Sequence, residues 1–214
     1  MHGKSVLWLV AALLLFVIFS AARIGTADLL SRYAEKEIAS WPPGMERLDS
    51  SNQADVARAL DVAQWLEPGN PDPYEDKARL ALGGGGMPSM NAAEKNAALR
   101  QGLVQIRRAI ALRPASPYSW AILLRLKNAL GEYDAEFHRA LERAVILGPW
   151  EPGLQAIVAD VGLSAWSALP EAERQMVNGN FVRGMKRQAD VMLFIAQAHR
   201  NKCTEEHGNA GCLR

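Results

Sequence analysis

The hydropathy pattern begins with one unbroken apolar run and continues as a series of interrupted, helix-spaced ones. From Ser5 to Ala22, SVLWLVAALLLFVIFSAA holds eighteen residues without a charge, bracketed by Lys4 and Arg23. At about 1.5 Å of rise per residue such a helix covers roughly 27 Å, close to the hydrocarbon thickness of a bilayer. Residues 1–23 therefore read as an uncleaved transmembrane signal-anchor. A cleavable leader ending near Ser20 and Ala22, or a core helix apolar on every side, are the alternatives. Next, DLLSRYAEKEIAS places Leu29, Leu30, Tyr33, Ala34 and Ile38 at helical spacing, and Trp41-Pro42-Pro43-Gly44 closes it. Residues 24–53 read as a juxtamembrane helix followed by a polar linker.

Beyond residue 53 the apolar positions recur in a punctuated register. AQWLEPGNP (63–71), AIALRPASP (109–117) and AVILGPWEP (144–152) share the frame Ala-x-x-Leu-x-Pro-x-x-Pro. The small Ala allows close helix approach, and the Leu fills the seam at the helix end. The first Pro cannot donate its backbone N–H and stops the helix, while the second suits the first turn of the next one. The copies start 46 and 35 residues apart, and GGGGMPSMNAA (83–93) accounts for the difference as an inserted loop. It is not a phosphate-binding loop, because no Gly-Lys-Ser/Thr follows it.

The stretch PYSWAILLRLKNALGEYDAEFHRALERAVILGP, Pro117 to Pro149, resembles a tetratricopeptide repeat through Trp120, Leu123, Gly131, Tyr133, Ala144 and Pro149. It departs from that pattern at Leu124, Lys127 and Phe137, and Tyr74 stands where the preceding unit would carry Trp. The resemblance implies an all-α protein: a short solenoid of antiparallel helix pairs over 54–169, with capping helices and a cysteine-containing tail over 170–214. It also implies that the ninth position of each helix that begins at a second proline, occupied by Arg79, Arg125 and Asp160, faces a concave groove. Two arginines there suit a carboxylate, such as an acidic peptide or a chain terminus. Asn128 and Trp150 complete the candidate partner-binding set. Beyond Pro152, GLQAIVADVGLSAWSAL is another apolar-periodic helix; in the cap, PEAER opens a helix, and NGNFVRG is expected to break or kink it. The combination of an anchor with a short array containing LGPWEP is similar to small membrane-anchored repeat proteins associated with bacterial exopolysaccharide biosynthesis.

Charge adds an exclusion. With 24 Lys and Arg against 23 Asp and Glu, the chain has no general electrostatic attraction for nucleic acid. No nucleophile elbow, HExxH pair or dinucleotide glycine pattern appears, so no enzyme is expected and no cofactor. His138 and Glu142, one helical turn apart beside Arg139 and Arg143, read as a solvated surface. Trp120 and Trp166 read as core, and Trp150 as packing at a helix junction. The tail HRNKCTEEHGNAGC carries Cys203 and Cys212, which read as a disulfide, with free thiols or a zinc set of His199, Cys203, His207 and Cys212 as the other readings. A lone close pair of cysteines behind an export-type N-terminus favours an oxidising compartment. The combined expectation is a single-pass protein of the bacterial inner membrane. Its soluble part would be periplasmic and would dock a protein or peptide partner. A structural or assembly subunit held through its transmembrane helix is the alternative.

Overall fold

The computed structural model describes residues 2–40, 50–84 and 90–207. Among these the chain forms nine α-helices and no strand: α1 His2–Ser40, α2 Ser50–Leu66, α3 Asp72–Gly84, α4 Ala92–Leu112, α5 Pro117–Leu130, α6 Ala135–Leu147, α7 Pro152–Ser164, α8 Glu171–Met185 and α9 Ala189–His207. One turn of 3-10 helix, Trp166–Ala168, links α7 to α8.

The three proline junctions are built alike. The residue before each first proline donates its N–H to the frame alanine four back: Glu67 to Ala63 (2.9 Å), Arg113 to Ala109 (2.8 Å) and Gly148 to Ala144 (3.3 Å). A tight turn then closes from Asn70 to Glu67, Ser116 to Arg113 and Glu151 to Gly148. The side chain three residues after each second proline donates to the carbonyl of the first. Tyr74 Oη reaches Pro68 at 3.2 Å, Trp120 Nε1 reaches Pro114 at 2.9 Å and Gln155 Nε2 reaches Pro149 at 2.9 Å. Ala63, Ala109 and Ala144 are fully buried, as close helix approach requires.

Consecutive helices pack on one another throughout, and α6 also meets α8. The odd-numbered helices additionally touch the next odd one, from α1 through α3, α5 and α7 to α9. The main core lies among α3 to α8 and centres on Phe137, Leu123, Leu124, Leu126 and Leu141. A smaller core joins Ala34 of α1 to Val56 and Leu60 of α2, with Ile38 and Leu80 against it.

The turn between α5 and α6 needs a glycine. Gly131 takes φ 68°, a left-handed conformation that caps α5 while Lys127 and Asn128 carbonyls accept from the chain beyond it. Asp134 then caps α6 through the Glu136 and Phe137 N–H groups. Lys127, expected to be aromatic by the repeat pattern, is instead a buried ammonium. It is held by Asp134 (2.7 Å), Glu132 (3.0 Å) and Glu136 (3.2 Å). Burial alone would lower its pKa, but those three carboxylates together raise it, and Lys127 stays charged.

Several boundaries differ from the sequence reading. Ser50 to Gln53 are not linker but the first turn of α2, whose Asn52 donates to Glu37 of α1 at 3.1 Å. The inserted loop is shorter than 83–93: α3 runs through Gly84, and α4 begins at Ala92 behind a capping box formed by Asn91 and Glu94. NGNFVRG does not break its helix. Asn180 is buried and donates to the Gln155 carbonyl at 2.8 Å, and at Gly184 an added Cβ would meet Met192 Cε at 2.6 Å. Packing against α7 and α9 thus overrides weak helix propensity, and the break falls at residues 186–188. Trp120 and Trp166 lie at the core edge rather than inside it. Trp150 is 63% exposed and does not pack at its junction. His138 pairs with Glu173 of α8 at 2.8 Å, so it forms an interhelix contact rather than a purely solvated surface. The Trp41-Pro42-Pro43-Gly44 stop lies outside the described residues.

Two outcomes are expected in denaturant titrations of the full chain. Lys127→Ala should lose about 2–3 kcal/mol by leaving three carboxylates without their shared cation. Trp120→Phe should lose about 1 kcal/mol, the net worth of one hydrogen bond, with its packing otherwise kept.

Candidate functional site

The odd-numbered helices touch in series, and the three residues at the expected repeat position lie on three of them. Arg79 on α3, Arg125 on α5 and Asp160 on α7 lie within electrostatic reach, since both Arg79 and Asp160 act on the Arg125 guanidinium. A depression of about 340 Å³ opens where the later turns of α3, α5 and α7 meet the start of α4. Leu82 and Leu99 give it an apolar side, and Lys95, Arg125, Asn128 and Asp160 give it a polar one.

The polar groups differ in how far they are already engaged. Arg79 is committed, with Nη1 on Asp76 at 2.9 Å and Nη2 at 3.8 Å from Glu75. Asp160 bonds His199 of α9 at 2.8 Å. Asn128 accepts from Tyr133 Oη at 3.2 Å and reaches Ser164 Oγ at 3.5 Å. Neither the Arg125 nor the Lys95 side chain makes an ion pair or hydrogen bond with a described residue. Arg125 is accessible to solvent, yet its pKa is held below the usual arginine value. Desolvation by the surrounding protein is the main cause, Arg79 adds to it and Asp160 opposes it. An accessible cation that is nonetheless desolvated lies at the bottom of a concavity, and it gains most from an anion brought in by a ligand.

Of the residues expected from the register, Arg125, Asn128 and Asp160 line this depression together with Lys95. Arg79 does not: it is internally paired and lines the acidic cavity between α1 and α3. Lys95 follows the stretch inserted after α3, so no repeat register pointed to it. Trp150 lies away from the depression, at the start of α7, where its carbonyl accepts from Arg187 at 2.7 Å. His199 is turned to Asp160, and Cys203 carries no free thiol. The His207 side chain and Cys212 lie outside the described residues. Among the described residues no group of three or more His, Cys, Asp or Glu side chains could hold a metal ion.

Next to this depression, between α1 and α3, sits an acidic cavity of about 400 Å³ lined by Asp28, Arg32, Glu35, Asp72, Glu75 and Asp76. Glu75 is buried and well satisfied: Ser119 Oγ donates to it, as do Ser116 Oγ (3.3 Å) and Arg113 Nη2 (3.2 Å). Asp76 is 4% exposed, and its pKa is pushed up to about 6. Burial is the main cause, and Glu35, Glu75 and Asp72 add to it against the opposing Arg79. The chain matches no protein-family model, no curated protein and no solved structure.

Asp76 gives a pH dependence with a definite sign. Its folded pKa lies above the ordinary 3.8, so the fold takes up the proton more readily than the unfolded chain. The stabilisation is complete below the unfolded value and is lost as pH rises through about 6. Denaturation midpoints of Asp76→Asn, compared with the unaltered chain from about pH 4 to about pH 7, should show this component of the dependence removed.

Proposed function

We propose that the protein is a membrane-anchored, non-enzymatic scaffold whose concave helical face docks an acidic segment or C-terminal carboxylate of a partner protein. The observation that carries this reading is Arg125: solvent-accessible, desolvated and without an ion pair or hydrogen bond, attracted only through space by Asp160, with the unpaired Lys95 in the same depression. A carboxylate would bridge the two cations, the Asn128 amide would add a hydrogen bond, and Leu82 and Leu99 would take an apolar neighbour. Three proline junctions with the same hydrogen-bond pattern, and odd-numbered helices in unbroken contact, support a tetratricopeptide-like solenoid as the frame.

α1 is long and apolar enough to cross a membrane, and its run from Leu7 to Phe19 is almost wholly exposed. In this reading it spans the bacterial inner membrane once and places the helical domain in the periplasm, where the cysteine usage fits an oxidising compartment. Exopolysaccharide biosynthesis or export is the proposed setting. The exposed apolar face of α1 favours a second reading, an assembly subunit held to neighbouring transmembrane helices through that face.

Co-purification from membranes separates the two. The paired change Lys95→Glu and Arg125→Glu should leave the fold intact, because neither side chain makes an ion pair or hydrogen bond within the fold, and should weaken capture of the partner by about tenfold or more. Capture that survives this change and is abolished by altering the exposed face of α1 would overturn groove docking in favour of the assembly subunit. Arg79→Glu is a useful contrast: it should lower stability, since it removes the cation beside buried Asp76 and Glu75.

A further inference from the structure

The end of α2 carries an exposed apolar patch whose position suggests what covers it. Trp65 is 80% exposed and Val62 46% exposed. With the partly buried Leu66 they stand at i, i+3 and i+4, on one side of the helix. On the surface of a domain surrounded by water, an indole this bare would forgo most of its burial energy.

The patch lies next to the membrane-length helix. α2 runs antiparallel along α1: Asn52 bonds Glu37 near one end, Val56 and Leu60 pack with Ala34 and Ile38, and Trp65 and Leu66 reach the other end. There they border a cavity of about 410 Å³ together with Phe19, Ala22, Arg23 and Thr26. This is the level at which the uncharged run Ser5–Ala22 gives way to its first charge, Arg23. Trp8, itself 75% exposed, stands near the start of the same run. From Trp8 to Thr26 the helix covers about 27 Å, close to a bilayer's hydrocarbon thickness. Two bare indoles at the two ends of one apolar run match the aromatic belts at membrane–water boundaries, where an apolar ring and a polar N–H are both accommodated.

We propose that Val62, Trp65 and Leu66 form a second, interfacial membrane contact, with the end of α2 lying in the headgroup region of the leaflet that α1 leaves. This inference rests on the reading of α1 as a membrane span. The patch is continuous with the exposed Phe19 of α1, and Arg23 beside it supplies a cation for lipid phosphates. The turn Glu67 to Pro71 is thereby set at the bilayer surface, and α3, which carries Arg79, begins directly above it.

Fluorescence of the full chain in phosphatidylcholine vesicles tests this. Retention through an alkaline wash first establishes that the chain is integrated. The difference in emission between the unaltered protein and Trp65→Phe then isolates Trp65, whose exposure makes the change harmless to the fold. The expected result is a component that is lost when lipids brominated near the headgroup are used and that resists aqueous iodide. An integrated chain whose Trp65 component is quenched by iodide and untouched by brominated lipid overturns the interfacial contact but leaves the span intact. A component shielded from iodide only at high protein-to-lipid ratio overturns it as well, in favour of a second copy covering the patch. A chain that washes off removes both the span and this proposal.

Discussion

A single repeated hydrogen bond fixes the arrangement on which the rest depends: the donation by Tyr74, Trp120 or Gln155 to the carbonyl of the first proline in its junction. Prolines end a helix and start the next, but on their own they leave the angle between the two open. They also leave a carbonyl at the helix end without a partner. A donor from the first turn of the following helix closes both gaps at once. The three junctions are closed in the same way, and α3, α5 and α7, the helices that follow them, are in contact in series.

Paired and unpaired charge divide the labour among the helices. Buried ionic groups are tolerated where the chain supplies every partner, as for Lys127 among its three carboxylates and Glu75 among two hydroxyls and an arginine. These sites hold helices in register and have little left to offer a ligand. Arg125 and Lys95 are the opposite case, cations whose side chains make no ion pair or hydrogen bond with a described residue. The acidic cavity beside α1 carries the opposite sign, so under the proposed docking a negatively charged partner would be repelled at the α1–α3 end and attracted toward α5.

The junctions and the burial of their alanines were legible in the sequence because each rests on spacing along one chain. What could not be read was decided between elements. Gln155 does the work of Tyr74 and Trp120 with different chemistry, so only the shared ability to donate a hydrogen bond links them. Lys127 looked like a departure from an aromatic pattern, since its carboxylates come from the next turn and the next helix. NGNFVRG has the composition of a break, yet a buried amide and close packing hold it helical. Arg79 was expected to face a ligand, but two carboxylates on its own helix claimed it first. The sequence carried no mark of that choice beyond the i, i+3 and i, i+4 spacings of Asp76 and Glu75 to it.

α1 runs without interruption for 39 residues, about 58 Å of helix. Its second half is built into the domain through Ala34, Val56 and Leu60 rather than joined to it by a flexible tether. If its first half is held in a bilayer, the domain is mounted on a rigid mast. It can swing only as the membrane helix tilts, and its depression rides at a fixed stand-off from the lipid surface. Under the proposed docking, such a mount would select partners by height as well as by charge: an acidic tail that reaches that altitude would be caught, while one that stays closer to the membrane or ends farther out would pass by whatever its affinity in solution.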